Sequence, residues 1–593
     1  LSESALDRAA RAAGIVLDRP GEHAPPVPDS TKEALTAMLG PAPEPPPSDG
    51  RPAYVPEWLD DTRTFGIALQ LYQLRSRRNL GVGDLADLEA LIPTFAAAGA
   101  DFVGMNPLHA LFTADPERAS PFSPSDRRFL NPLIIAVDKV PGYRPEMRAR
   151  VSVPDASELV DYPAVTAAKL AILKEIHAVW TAGGAAVPDA DRAAAARHAE
   201  DGGDALADFA LFEALSNALF REGHTAGWID WPASYRDRTS ETVHAFALAH
   251  AGEVEFHRWL QFIADDQLRR TQAAAVAAGM RIGLYLDLAV GTAPDGAATW
   301  ADPGLTMRGV RVGAPPDLFS LDGQDWGLAP FSPTELIARN FAPYRAVMSA
   351  VMRHGGAVRI DHAMGLERLF LIPDGATASG GAYVRQPGLT DQVVDATHHH
   401  KAIAIGEDLG VVPPGFRERM AARRIFSTRI LSFERGPRGM MNAPSRYPKD
   451  ALACISTHDM APLAAWWVGD EIDIRFRLGR ISEAVARHEY AVRRGEKEAI
   501  LGLAGLPPRL AEDPLGDDIV VAFHKVAART ASRLLAVRLE DVVGGRRLVN
   551  LPGTDREHPN WRHTLPLDVE DIAASERLAR TLRAVSRERD RAP

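Results

Sequence analysis

The sequence predicts an α/β protein built on a (β/α)8 TIM barrel, and three observations carry that expectation. Eight short apolar runs follow one another from about Phe65: GIALQLY (66–72), DFVGMNP (101–107), RIGLYLDLAV (281–290), GAVRID (356–361), AIAIGED (402–408), RILSFE (429–434), ALACISTHD (451–459) and RLVNLPG (547–553). They are nearly continuous in hydrophobicity, as parallel strands buried on both faces should be. Most are separated by helix-length segments, the alternation expected of βα units. A doubly wound sheet is the alternative architecture with the same alternation.

Taken in chain order, residues 1–40 read as a short helical N-terminal appendage. A first helix is expected over 2–13, ending at Gly14. A second starts at the capping-box pattern Ser30-Thr-Lys-Glu33 and ends at Gly40. Residues 41–60, containing PAPEPPPSDGRP, form a Pro-rich linker. The barrel occupies 61–593. The gap between the second and third runs is too long for a βα loop, so an insertion subdomain is expected at about 110–280, with helices at 205–221 and 255–278. A second helical excursion, at about 470–535, precedes the last strand.

The 593 residues are too many for one simple core and fit one large elaborated domain or several smaller ones. The formal net charge of −11 argues against nucleic acid or an anionic membrane as partner. No apolar run is long enough to span a bilayer. The single cysteine, Cys454, allows no internal disulfide, and no signal pattern opens the chain; a cytoplasmic location is expected.

Polar residues gather where the apolar runs finish. Asp287, Arg359, Asp361, Glu407, His458, Asp459 and Asn550 all fall at or near such C-terminal ends, the end at which barrel active sites are built. A charge there is partly solvated, whereas mid-strand it would carry a large desolvation cost. Arg359 and Asp361 are two apart and share a strand face. An adjacent guanidinium favours the ionised form of a carboxylate, which can then act as a nucleophile or stabilise a cation. A simple ion pair would have the same spacing. Glu407 and Asp408 point to opposite faces, and parity alone does not choose between them. Three acidic groups from three strands suit retaining glycoside transfer. One carboxylate attacks the anomeric carbon, and a second carboxyl, about 5–5.5 Å away, protonates the leaving oxygen. A third steadies the oxocarbenium-like transition state.

With these residues in place, the chain resembles the 4-α-glucanotransferases (amylomaltases, disproportionating enzymes) of glycoside hydrolase family 77, most closely their long bacterial form. The similarity runs from about Phe65 to the C-terminus. It rests on ordered motifs: LYQLRSRRNLGVGDLADL (71–88), MNPLHALF (105–112), SPFSPSDRRFLNP (120–132), EFHRWLQF (255–262), YLDLAVG (285–291), GAPPDLFSLDGQDWG (313–327), VRIDH (358–362), IGEDLG (405–410), STHD (456–459) and VNLPGT (549–554). The resemblance implies Asp361 as nucleophile, Glu407 as general acid/base and Asp459 as the third carboxylate. It implies Arg359, His362, His458, Asp287, Gln324, Trp326, Ser120, Asn550 and Gly553 as substrate-binding residues. Maltooligosaccharides or other α-1,4-glucans would be both donor and acceptor, with no cofactor and no metal. Two departures stand out: Phe122 where the family usually has Tyr, and Pro462 where it often has Thr.

Transfer requires a sugar hydroxyl to outcompete water, hence acceptor platforms and water exclusion. Trp326, Trp300, Trp466 and Trp467 are the candidate platforms. Trp326 is favoured because its Gly- and Pro-rich segment reads as a loop that closes over the glucan. An α-amylase-type hydrolase and a catalytically silent glucan-binding barrel are the competing functions. A metal-dependent hydrolase would want an HxH pair on the first run, which has none.

Overall fold

Eight parallel strands close on themselves in the computed structural model, which describes residues 3–18, 26–42, 44–153, 158–316, 322–436 and 439–590. They are Thr64–Leu69, Phe102–Met105, Gly283–Leu288, Ala357–Ile360, Ile403–Gly406, Phe426–Ile430, Ala451–Cys454 and Leu534–Arg538. Seven coincide with or overlap the expected runs. The eighth is LLAVR and not RLVNLPG. Residues 547–553 are an irregular loop whose Leu548, Val549 and Leu551 are buried. Leu548 and Leu551 pack on Ala461 and Ala465, which is why the segment imitates a strand. The true strand comes shortly after the helix Asp517–Ala528 and straddles the expected end, at about 535, of the helical excursion.

Side chains alternate across the barrel wall. Phe102, Tyr285, Ala357, Ile403, Ile405, Phe426, Leu452, Cys454, Leu534 and Ala536 fill its interior. Gly104 is required there, since a Cβ at this position would lie 2.6 Å from the Tyr285 ring. Leu59, in the short turn Glu57–Leu59, is fully buried in the same interior cluster. On the outer face, Ile67, Leu88, Leu91, Val103 and Leu284 belong to the main helix-facing core.

The insertion after the second strand carries the helices Tyr162–Ala182, Asp189–Arg221 and Ala251–Ala277. The excursion before the last strand carries Leu463–Val468, Asp470–Arg477, Glu483–Leu503 and Asp517–Ala528. A five-stranded antiparallel sheet stands beside the barrel, in the order Ile15–Val16, Ala382–Arg385, Arg368–Pro373, Val310–Ala314, Gln324–Leu328. The N-terminal segment thus supplies an edge strand as well as helices. Its helices are Ala5–Ala12 and Asp29–Leu39; the expected start at Ser2 lies outside the described residues. The Ser30–Glu33 capping box does not form: Pro28 is the N-cap, with no side-chain cap, and Ser30 sits within the first turn. Among the described residues no helix is long and apolar enough to cross a membrane.

Candidate active site

Arg359 is the hub of the barrel mouth. Alternation places it inward, two residues after the interior Ala357, and the ladder sets it opposite Asp287 on the third strand. Its Nη1 donates to both carboxylate oxygens of Asp287 at 2.9 Å. Its Nη2 lies 2.8 Å from Oδ1 of Asp361. Burial works against this cation, but Asp287, Asp361 and Glu407 outweigh it and raise its pKa well above the usual arginine value. Burial raises the Asp287 carboxyl, with Arg359 opposing the rise.

Glu407 follows the fifth strand as Asp361 follows the fourth, and the residues before them, Gly406 and Ile360, are partners in the ladder. The interior Ile405 fixes the parity: Glu407 turns into the mouth and Asp408 away from it. Asp408 is wholly buried between Arg417 and Arg429 and accepts from the Thr428 N–H, so it orients the wall. The Glu407 carboxyl accepts from the backbone N–H of Leu409 at 2.7 Å and of His362 at 3.1 Å. His362 has a left-handed backbone, with φ at 47°. Burial pushes Glu407 up to about 7, with Arg359 opposing and Asp361 adding to the rise. Burial also lowers the His362 imidazole to about 4, and its Nε2 has no hydrogen-bond partner among the described residues.

Asp459 reaches the mouth on a loop beyond the seventh strand. Its Oδ2 lies 3.2 Å from Nε2 of His458, and its Oδ1 accepts from the Asn550 amide at 2.8 Å. Burial alone would raise this carboxyl, but His458, Asn550 and Arg359 hold it well below the usual carboxylate range. The side chain is 42% exposed, so solvent damps that effect. The His458 ring packs at 4.9 Å against Phe122, tilted by 30°, and the Phe122 ring also lies under the Arg359 guanidinium and beside Trp561. Ser120 Oγ accepts from the Phe122 N–H at 3.4 Å. Gly553 is exposed, three residues past Asn550 in the same loop.

Trp326 stands on the strand Gln324–Leu328 of the side sheet, not in a free loop. Its indole N–H donates to Gln324 Oε1 at 3.1 Å, and its ring meets His362 edge-on at 5.1 Å. Of the segment expected to close over substrate, residues 317–321 lie outside the described residues. Trp300 and Trp467 are buried core and not platforms. Trp466 packs on Phe523. Sequence reasoning missed Trp561, Arg538 and Asp541. The polar pair was hidden by the misplacement of the eighth strand; a buried Arg ending the apolar run LLAVR was the available signal. Among the described residues, no group of three or more His, Cys, Asp or Glu side chains has metal-holding geometry.

Comparison with known proteins fits this arrangement. The glycoside hydrolase family 77 model, described as 4-alpha-glucanotransferase, matches residues 69–568. The 4-alpha-glucanotransferase of Mycobacterium tuberculosis is 39% identical over 561 residues, covering 90% of this chain and 76% of that protein. That of Haemophilus influenzae is 34% identical over 555 residues, covering 89% and 79%. The crystal structure of amylomaltase from Corynebacterium glutamicum superposes with a TM-score of 0.77 at 30% identity, covering 89% of this chain and 76% of that one. Streptococcus agalactiae amylomaltase, solved in complex with acarbose, shares the fold at a TM-score of 0.73 and 18% identity, over 90% of this chain and 100% of that one. The chain therefore belongs to glycoside hydrolase family 77 and is a 4-alpha-glucanotransferase.

Proposed function

We propose that this enzyme moves α-1,4-glucan segments between maltooligosaccharides by a retaining double displacement with Asp361 as nucleophile and Glu407 as acid/base. One observation carries the reading. The two carboxyl groups follow register-paired residues on adjacent parallel strands, yet their surroundings differ: Asp361 is ion-paired to Arg359, and Glu407 is pushed up to about 7 by burial. Adjacent strands run about 4.8 Å apart, which suits the ~5–5.5 Å separation of a retaining pair.

Asp361 attacks the anomeric carbon while Glu407 gives its proton to the departing glycosidic oxygen. The donor's reducing-end piece leaves, and the remaining segment is held on Asp361 as a glycosyl ester. A glucan 4-hydroxyl then enters, Glu407 removes its proton, and the ester bond breaks as the new α-1,4 bond forms. Asp459 faces the developing positive charge. The aromatic wall of Phe122 and Trp326, with the His362 imidazole held neutral, offers a surface for a glucan in place of water. Maltotriose as sole substrate tests the reading. A ladder of longer glucans together with glucose is expected; shortening alone would place the chain with the hydrolases.

A further inference from the structure

The loop that carries His458 and Asp459 is held from below by the end of the eighth strand. Alternation from the interior Leu534 and Ala536 turns Arg538 inward, where it is 4% exposed. Its Nη1 donates to the carbonyls of Thr457 at 2.7 Å and Met460 at 2.9 Å, and to Ser456 Oγ at 3.3 Å. One guanidinium nitrogen thus binds the backbone on both sides of the His458-Asp459 pair. Glu540, also buried, sits 3.3 Å from Nε of Arg538 and balances its charge.

The far end of the same loop is tied in a matching way. Helix Leu463–Val468 begins after Pro462, which offers no side-chain cap. The buried Asp541 supplies the missing acceptor: its Oδ1 takes the Leu463 N–H at 2.6 Å. At this departure from the family pattern, a carboxylate distant in sequence satisfies one of the helix's unpaired first-turn N–H groups.

We infer that Arg538, assisted by Asp541, is a positioning residue for Asp459, a buried clamp that fixes the 456–463 loop to the last barrel strand. The inference rests on the catalytic reading of Asp459 above. A buried cation bound to carbonyls holds a loop tip more rigidly than neutral contacts do, and a misplacement of about 1 Å at a transition-state contact costs about 100-fold in rate.

A double-mutant cycle on maltotriose disproportionation tests it, with rates taken per mole of folded protein. R538Q is expected to lower kcat at least 30-fold with KM within threefold. R538K should recover at least tenfold of that loss, because its ammonium still reaches a carbonyl. On a D459N background, R538Q should cost less than threefold. A kcat within threefold of the parent with only a lower Tm would overturn the inference, as would an equal 30-fold loss on both backgrounds. If R538Q does not fold, D541A enters the same cycle with an expected tenfold loss that vanishes beside D459N. D459N alone reports on the carboxylate: near-parental kcat there removes its catalytic role, whereas a large loss there with an additive R538Q removes the clamp alone.

Discussion

Asp361 and Glu407 stand one residue beyond two adjacent barrel strands, whereas Asp459 stands five residues beyond its own, in a loop. The first two inherit their positions from the sheet. The Asp361 N–H donates to Leu288 at 3.0 Å and the Glu407 N–H to Ile360 at 3.0 Å, so the ladder runs through both residues. Asp459 has no such ladder. It is placed by side chains: its neighbour His458, the distant Asn550 and the Arg538 clamp. Backbone fixes the pair proposed to make and break bonds; side chains fix the carboxylate proposed to steady charge. Substitutions around the pair should therefore act through chemistry, and those around Asp459 through geometry.

The sharpest break of this comparison is at the proposed nucleophile. Asp361→Asn keeps the shape and removes the attacking charge, and kcat should fall by about 10⁴-fold or more. No covalent glycosyl-enzyme should then be detected by mass spectrometry of the quenched enzyme; near-normal turnover would refute the assignment. Glu407→Gln comes next, at about 10²–10⁴-fold on glucan substrates. A maltosyl fluoride needs no protonated leaving group, so this variant should still form the intermediate from it and accumulate it. As the proposed acid, Glu407 in the parent works only while protonated. With Glu407 at about 7, kcat/KM should fall about tenfold per unit above that pH.

The same carboxyl links activity to stability. Its folded pKa of about 7 lies above the ordinary 4.5, so between those values the folded protein keeps a proton that the unfolded chain has lost. The stabilising contribution is complete below about pH 4.5 and is lost as pH rises through 7. Glu407→Gln has no charge to desolvate. At pH 8 its free energy of unfolding, measured by denaturant titration, should exceed the parent's by an amount on the order of 1–3 kcal/mol after allowing for partial exposure.

The same division explains what was legible in the sequence. Asp287, Arg359 and Asp361 lie at or near the ends of short apolar runs, and alternation is a local rule, so their convergence could be read directly. Parity could not choose between Glu407 and Asp408, because that choice depends on Ile405 packing among side chains from other strands. The eighth strand was misplaced because a buried loop and a buried strand have the same apolar composition, and Leu548 and Leu551 are buried by the excursion helices. Trp326 was expected in a loop on its Gly-rich surroundings; pairing with Val310–Ala314 makes it a strand residue. The strand is only five residues long, follows Gly323 and contains Gly327, so its alternation leaves little periodic trace.

On the loop-borne side the expected effects are smaller. Asn550→Ala removes one hydrogen bond to a charged acceptor, worth about 1.5–3 kcal/mol, so kcat should fall about 10–100-fold. If it fell as far as in Asp361→Asn, Asp459 would stand level with the strand-borne pair and the comparison would fail. Trp326→Ala should leave the glycosyl ester forming at a rate within about threefold of the parent. It should raise the ratio of hydrolysis to transfer severalfold, because water gains access beside His362. An unchanged ratio would remove Trp326 from the acceptor wall.

Phe122→Tyr is the mildest test. The ring packs on His458 at 4.9 Å and on Trp561 at 5.4 Å, so the loop is already braced by tilted ring contacts without a hydroxyl. Adding one at the ring edge leaves that brace intact and offers a bound sugar one further hydrogen bond, worth about 0.5–1.5 kcal/mol. KM for maltotriose should fall by about threefold with kcat unchanged. A kcat change larger than the KM change would mean that the ring acts on the placement of His458 and Asp459, in which case the packing around the loop, and not the substrate contact, is what distinguishes Phe from Tyr at this position.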